Sequence, residues 1–225
     1  MFSVISFFLF VSAVSALPIL QDSTIDGYAI DINEPLSNGT LINVRLDRYS
    51  TIYIRSFNYN TSSFDQNMID TIRNALVYRL RVELYMTPNQ FSNVSGTDQV
   101  EDVYNNLKSN SIPIGGLFLR VQSGMYSYNT TANAEFIDSS VHRAKQLGFQ
   151  VGIFTNAEEW KSVTNNYSGL DSDVRLWYWA NNGNGVTGET THSFNDFKRF
   201  GNWNEPNVKQ FGVNETVSGA DQINR

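Results

Sequence analysis

The sequence predicts an α/β fold: an irregular β/α barrel of the TIM type, about five βα units followed by three strands. Three observations predict it. Apolar, strand-like runs alternate with helix-period segments through the first two thirds of the chain, the pattern of a parallel sheet with crossover helices. Beyond residue 170 that alternation gives way to short strand-like runs joined by loops rich in Asn and Gly. The chain has 225 residues and no segment that reads as a linker, which suits one large domain.

In chain order, the strand-like runs fall near 27–32, 51–57, 80–86, 115–121 and 149–155. Between them, 65–79, 97–110 and 132–147 carry apolar residues at helical spacing, with Gly148 placed to stop the last. The segments after 36 and after 157 carry weaker helical patterning. The three late strands are read at 174–180 (VRLWYWA), 206–212 (PNVKQFG) and 217–223 (VSGADQI).

Residues 1–16 (MFSVISFFLFVSAVSA) form an apolar stretch too short to span a bilayer and end in Val14-Ser15-Ala16, which fits a signal-peptidase site. A secreted, extracellular domain over 17–225 is expected, with no membrane span. A net charge of −6 argues against nucleic acid or an anionic membrane as partner. Cysteine is absent, which excludes disulfides, thiolate metal sites and a Cys nucleophile. Six N-glycosylation sequons, at Asn38, Asn60, Asn93, Asn129, Asn166 and Asn214, fit a glycoprotein. His142 and His192 lie far apart in sequence, so no metal site and no cofactor are expected.

Chemistry is expected at the C-terminal ends of the barrel strands. Asp31, closing the first strand in YAIDINEP (28–35), fits a carboxylate at the barrel mouth and a loop or capping Asp about equally well. On the run GGLFLRVQ (115–122), Arg120 and Gln122 stand two apart and so share a face.

These segments, together with IYIRSF (52–57), FQVGIFTNAEEW (149–160), LWYWA (176–180), GNWNEPNVKQFG (201–212) and VSGADQIN (217–224), resemble the family 25 glycoside hydrolases. More narrowly, they look like the lysozyme-like proteins of that family in invertebrate animals. The resemblance is collinear over nearly the whole chain after residue 16. It implies an irregular β/α barrel acting on the β-1,4 bond between N-acetylmuramic acid and N-acetylglucosamine in peptidoglycan. It also implies a role in innate immunity, as an antimicrobial, or in bacterial digestion. Asp31 and Asp221 match the family's first-strand and last-strand catalytic acids. The fourth-strand Asp-x-Glu, which holds the proton donor, is matched by Arg120-Val121-Gln122. Ser218 stands where related animal sequences often have Cys.

An amide cannot protonate a leaving oxygen, and a fixed guanidinium opposes a cationic transition state. The expectation is therefore a catalytically impaired, monomeric protein that still meets peptidoglycan or a related glycan. Two readings stay open: a glycan-binding or regulatory pseudoenzyme, and a surviving muramidase using Asp31 and Asp221 with Glu83 or Glu34. A buried cation needs a partner, so Arg120 is expected to pair with Asp31 or Glu83, with Asp221 a third candidate. Tyr28, Glu83, Tyr85, Trp177 and Trp179 are candidate substrate-binding residues, the aromatic ones as platforms for sugar C–H groups. Phe118 and Trp203 offer similar faces, although filling the barrel wall is the commoner role for any single aromatic residue.

Overall fold

A computed structural model describes residues 27–225, so the expected leader at 1–16 lies outside the described residues. Seven parallel strands form a curled sheet: β1 (Ala29–Ile32), β2 (Thr51–Asn58), β4 (Arg81–Met86), β5 (Gly116–Arg120), β6 (Gln150–Thr155), β7 (Arg175–Trp179) and β8 (Val208–Gln210), hydrogen-bonded in that spatial order. The two-residue β3 (Ser63–Phe64) pairs antiparallel with β2. Five helices, α1 (Asn38–Leu46), α2 (Ile69–Val77), α3 (Gly96–Ser109), α4 (Thr130–Gln146) and α5 (Ala157–Thr164), fill the crossovers up to β7.

Local chemistry starts these helices. Side-chain oxygens of Ser37, Ser95, Asn129 and Asn156 accept from the first-turn N–H groups of Thr40, Asp98, Ala132 and Glu159, satisfying donors that have no partner inside the helix. The two weakly patterned segments do form helices. Only Leu41 and Val44 of α1 are buried, which is why its apolar periodicity is faint.

Period-two alternation along the strands separates two cores. Outward residues such as Ile30, Ile54, Leu117, Leu119, Ile153 and Leu176 pack under the helices. Inward residues Tyr53, Tyr85, Phe118, Phe154 and Trp177 form a separate aromatic column inside the curl, with Phe154 and Trp177 stacked at 3.8 Å and 10°. Gly152 makes room for it, since a Cβ there would overlap the Phe118 ring, and Gly116 makes room for the Glu83 carboxylate.

The last predicted strand departs from expectation. Residues 215–223 form a separate hairpin, β9 (Glu215–Val217) and β10 (Ala220–Ile223), instead of an eighth sheet strand. Ser218 (φ 54°) and Gly219 (φ 83°) turn the chain back on itself in left-handed conformations. The gap between β8 and β1 is bridged by the residues after the hairpin. Asn224 exchanges backbone hydrogen bonds with Asp31 at 3.0 and 3.2 Å, and Arg225 bonds with Phe211 and Gly212.

Candidate functional site

Asp31 sits near the C-terminal end of β1, 4% exposed. Both carboxylate oxygens are occupied: Gln210 Nε2 donates to Oδ2 at 2.7 Å and Asn224 Nδ2 to Oδ1 at 2.8 Å. Burial raises its pKa, and the two amide donors and the Arg120 charge only partly offset that rise. Beside it, the Tyr85 hydroxyl donates to the Ile32 carbonyl at 3.2 Å.

Arg120 closes β5. Its backbone is fixed by the Tyr126 hydroxyl on its carbonyl at 3.2 Å and, one residue on, by Val121 N–H to the Phe154 carbonyl at 2.9 Å. The guanidinium carbon lies 5.6 Å from the Phe154 ring centre, within cation–π range. Nε is buried without a hydrogen bond, and Arg120 forms no ion pair among the described residues. At Gln122, Oε1 is likewise buried without a donor. Trp179, half-buried, meets the same Phe154 ring edge-on at 5.2 Å.

The expected pairing of Arg120 is therefore corrected. Glu83 lies opposite Gly116 across the sheet, four residues before Arg120, or about 13 Å along the strand. There it is 2% exposed and already clamped by Arg81 at 2.8 Å and Arg175 at 3.0 Å. Asp31 is near enough to feel the Arg120 charge, yet its oxygens are taken by amides.

Asp221 is corrected too. It is exposed on the hairpin, accepting from the Thr216 hydroxyl at 2.6 Å. Gln222, at φ 59°, interrupts the pairing between Ala220 and Ile223, so the C-terminal side chain that reaches Asp31 is that of Asn224. Ser218 and Gly219 form the hairpin tip, which is tied to α1 by Ser218 Oγ donating to Asp47 at 2.6 Å.

Of the proposed sugar platforms, Trp177 (1% exposed) and Tyr85 (4%) are spent in the aromatic column, and Glu83 in its ion pairs. Phe118 belongs to the same column, and Trp203 packs on Trp160 at 5.0 Å in the outer core. Trp179 and Tyr28 remain accessible. Tyr28, 46% exposed, packs edge-on against His192 and Phe211 on the β1–β8 side. A cleft of about 710 Å³ follows that side, with Tyr28, Asp31, Tyr53, Glu83, Arg175 and Phe211 among its walls.

Gln210 and Asn224 were not singled out from sequence. Gln210 was within reach, since it alternates with Val208 on the strand; Asn224 was hidden by the bulge at Gln222.

The family model described as Lysozyme-like protein 1 matches residues 22–211. The chain belongs to this lysozyme-like family. It is 37% identical over 209 residues to Lysozyme-like protein 1 of Caenorhabditis elegans, covering 92% of this chain and 70% of that one. Lysozyme-like protein 7 of the same organism is 38% identical over 200 residues, 88% of this chain and 70% of its own length. A probable GH family 25 lysozyme of Dictyostelium discoideum is 28% identical over 211 residues, covering 92% and 89% of the two chains.

Among solved structures, the muramidase from Acremonium alcalophilum superposes on the lysozyme-like chain with a TM-score of 0.62 at 13% identity, covering 88% of this chain and 91% of that one. The GH25 lysozyme from Aspergillus fumigatus gives 0.60 at 12%, covering 87% and 91%. The lysozyme-like chain thus has the fold of the family 25 glycoside hydrolases, with a basic residue and an amide at the end of β5.

Proposed function

We propose that this lysozyme-like protein is secreted, holds peptidoglycan-type glycan at the C-terminal mouth of its strands, and does not hydrolyse it. One observation carries the reading: the end of β5 presents Arg120 and Gln122, while the carboxylate of Asp31 is buried with both oxygens already bonded by amides. Glycoside cleavage by paired carboxylates needs two such groups about 5 to 9.5 Å apart, one giving a proton and the other meeting positive charge or activating water. Removal of a general acid alone costs about 10² to 10⁴ in rate. The fixed charge of Arg120 adds repulsion toward an oxocarbenium-like centre.

Trp179 supplies an accessible aromatic face at the mouth, and Tyr28 a second one on the β1–β8 side. All six sequon asparagines are exposed, which supports an extracellular glycoprotein acting in defence against bacteria or in their digestion. A second reading, residual hydrolysis with Asp31 as acid, is favoured by its raised pKa and would draw on the exposed Glu34 as its second carboxylate.

Cosedimentation with purified peptidoglycan beside a turbidity assay on bacterial cell walls separates the two. Binding without clearing is expected. Clearing that disappears in Asp31→Asn would establish the hydrolytic reading instead, and failure to bind or clear would remove both. In the double variant Arg120→Asp with Gln122→Glu, restored clearing would show that only the β5 residues had been lost.

A further inference from the structure

The mouth offers a recognition chemistry that a pair of acids could not. Arg120 and Gln122 spend none of their side-chain polar atoms on the protein among the described residues. Of those unbonded atoms, Arg120 Nε and Gln122 Oε1 are buried. The ones left reachable are the two terminal guanidinium nitrogens and the Gln122 amide nitrogen, all of them donors. Arg120 closes β5, and Gln122 follows it two residues on, just beyond the strand. The guanidinium and the half-buried Trp179 indole both meet a single ring, Phe154, at 5.6 and 5.2 Å, so a cation and an apolar platform share one neighbour. Among the described residues no acidic side chain pairs with that cation, and the nearby carboxylate, Asp31, is bonded instead by Gln210 and Asn224.

We infer that this mouth selects acidic saccharides: a sugar ring stacks on Trp179 while its carboxylate is received by Arg120 and Gln122. The inference rests on the glycan-binding reading above and names the class of glycan. A planar guanidinium with two free terminal nitrogens suits a carboxylate, and a charge-assisted contact shielded by Phe154 and Trp179 is stronger than one in open solvent. A neutral chitin-type chain offers the same ring face without the anion. The sugar acid is either an N-acetylmuramic acid freed of its stem peptide, whose lactyl group then carries a carboxylate, or a sialic acid.

Calorimetric titration of the whole protein tests this with four probes: the N-acetylglucosaminyl-N-acetylmuramic acid disaccharide, its methyl ester, a sialylated trisaccharide and chitotetraose. The expected result is that at least one acidic sugar binds about ten- to a hundredfold tighter than the neutral probes. Which acidic sugar wins identifies the source. Arg120→Gln should abolish that preference, and Arg120→Lys should keep part of it. Equal affinity for acid and ester, or a preference that survives Arg120→Gln, overturns the inference and leaves glycan binding standing. No binding of any probe, together with no peptidoglycan cosedimentation, overturns the binding reading itself. The acid–ester comparison uses the unaltered protein, so a variant that misfolds does not remove the test.

Discussion

The two ends of the β-strands handle charge in opposite ways. Toward the N-terminal ends, Glu83 is buried between Arg81 and Arg175, and Arg175 also donates to the Gln150 carbonyl at 2.9 Å. Toward the C-terminal ends, Arg120 forms no ion pair among the described residues, and Asp31, which feels its charge, is held by neutral amides. At one end a buried carboxylate is neutralised by two guanidinium groups; at the other a cation keeps its terminal nitrogens unbonded among the described residues. Ionisable residues on the same sheet thus neutralise one another where partners enclose them and stay available to a ligand where they are left open.

The largest effect should come from breaking the closed end. Glu83→Gln leaves two guanidinium groups facing each other and is expected to cost about 3 kcal/mol in urea denaturation. Arg120→Gln should stay within about 1 kcal/mol of the parent, since it removes no hydrogen bond or ion pair. Equal losses at both positions would erase the contrast.

Next, Gly152→Ala should cost about 2 kcal/mol by driving a methyl group into the Phe118 ring. Thermal melting reads it, and an unchanged melting temperature would mean that the aromatic column yields easily and could admit ligand.

A pH effect at Asp31 sharpens the open end. Burial raises its pKa in the folded protein above the ordinary 3.8, so the folded state holds the proton more tightly than the unfolded chain. The parent should therefore lose stability relative to Asp31→Asn as pH rises from 3.8 through the folded value, and the difference should level off above it. Melting temperatures of both proteins from about pH 3 to 7 check the sign, and a difference that grows in the parent's favour would reverse the assignment.

The smallest effect is expected from Ser218→Ala. It removes the exposed bond to Asp47 that ties the hairpin to α1 and should cost about 0.5 kcal/mol in urea denaturation, with binding at the mouth unchanged.

Much of this architecture was legible from side-chain periodicity. The strand starts and the crossovers follow from periods of two and 3.6, which the chain keeps clearly through α4 and β6. Depth was not legible. Trp177 and Trp179 alternate identically, yet one lies under Phe154 and the other at the rim, a difference set by position along the barrel axis. The partner of Glu83 was hidden because Arg175 is 92 residues away, and inward-facing strand residues meet across the curl irrespective of sequence distance. The C-terminal segment misled through one residue: the left-handed Gln222 places Asp221 outside and leaves Asn224 at Asp31, and no hydrophobic alternation marks such a bulge.

The central claim, that the mouth holds glycan without cutting it, is tested most directly by counting new reducing ends when the parent protein is incubated with purified peptidoglycan. The account predicts protein retained on the polymer and no reducing ends above the protein-free control. Release that rises with protein concentration and vanishes in Asp31→Asn would contradict it.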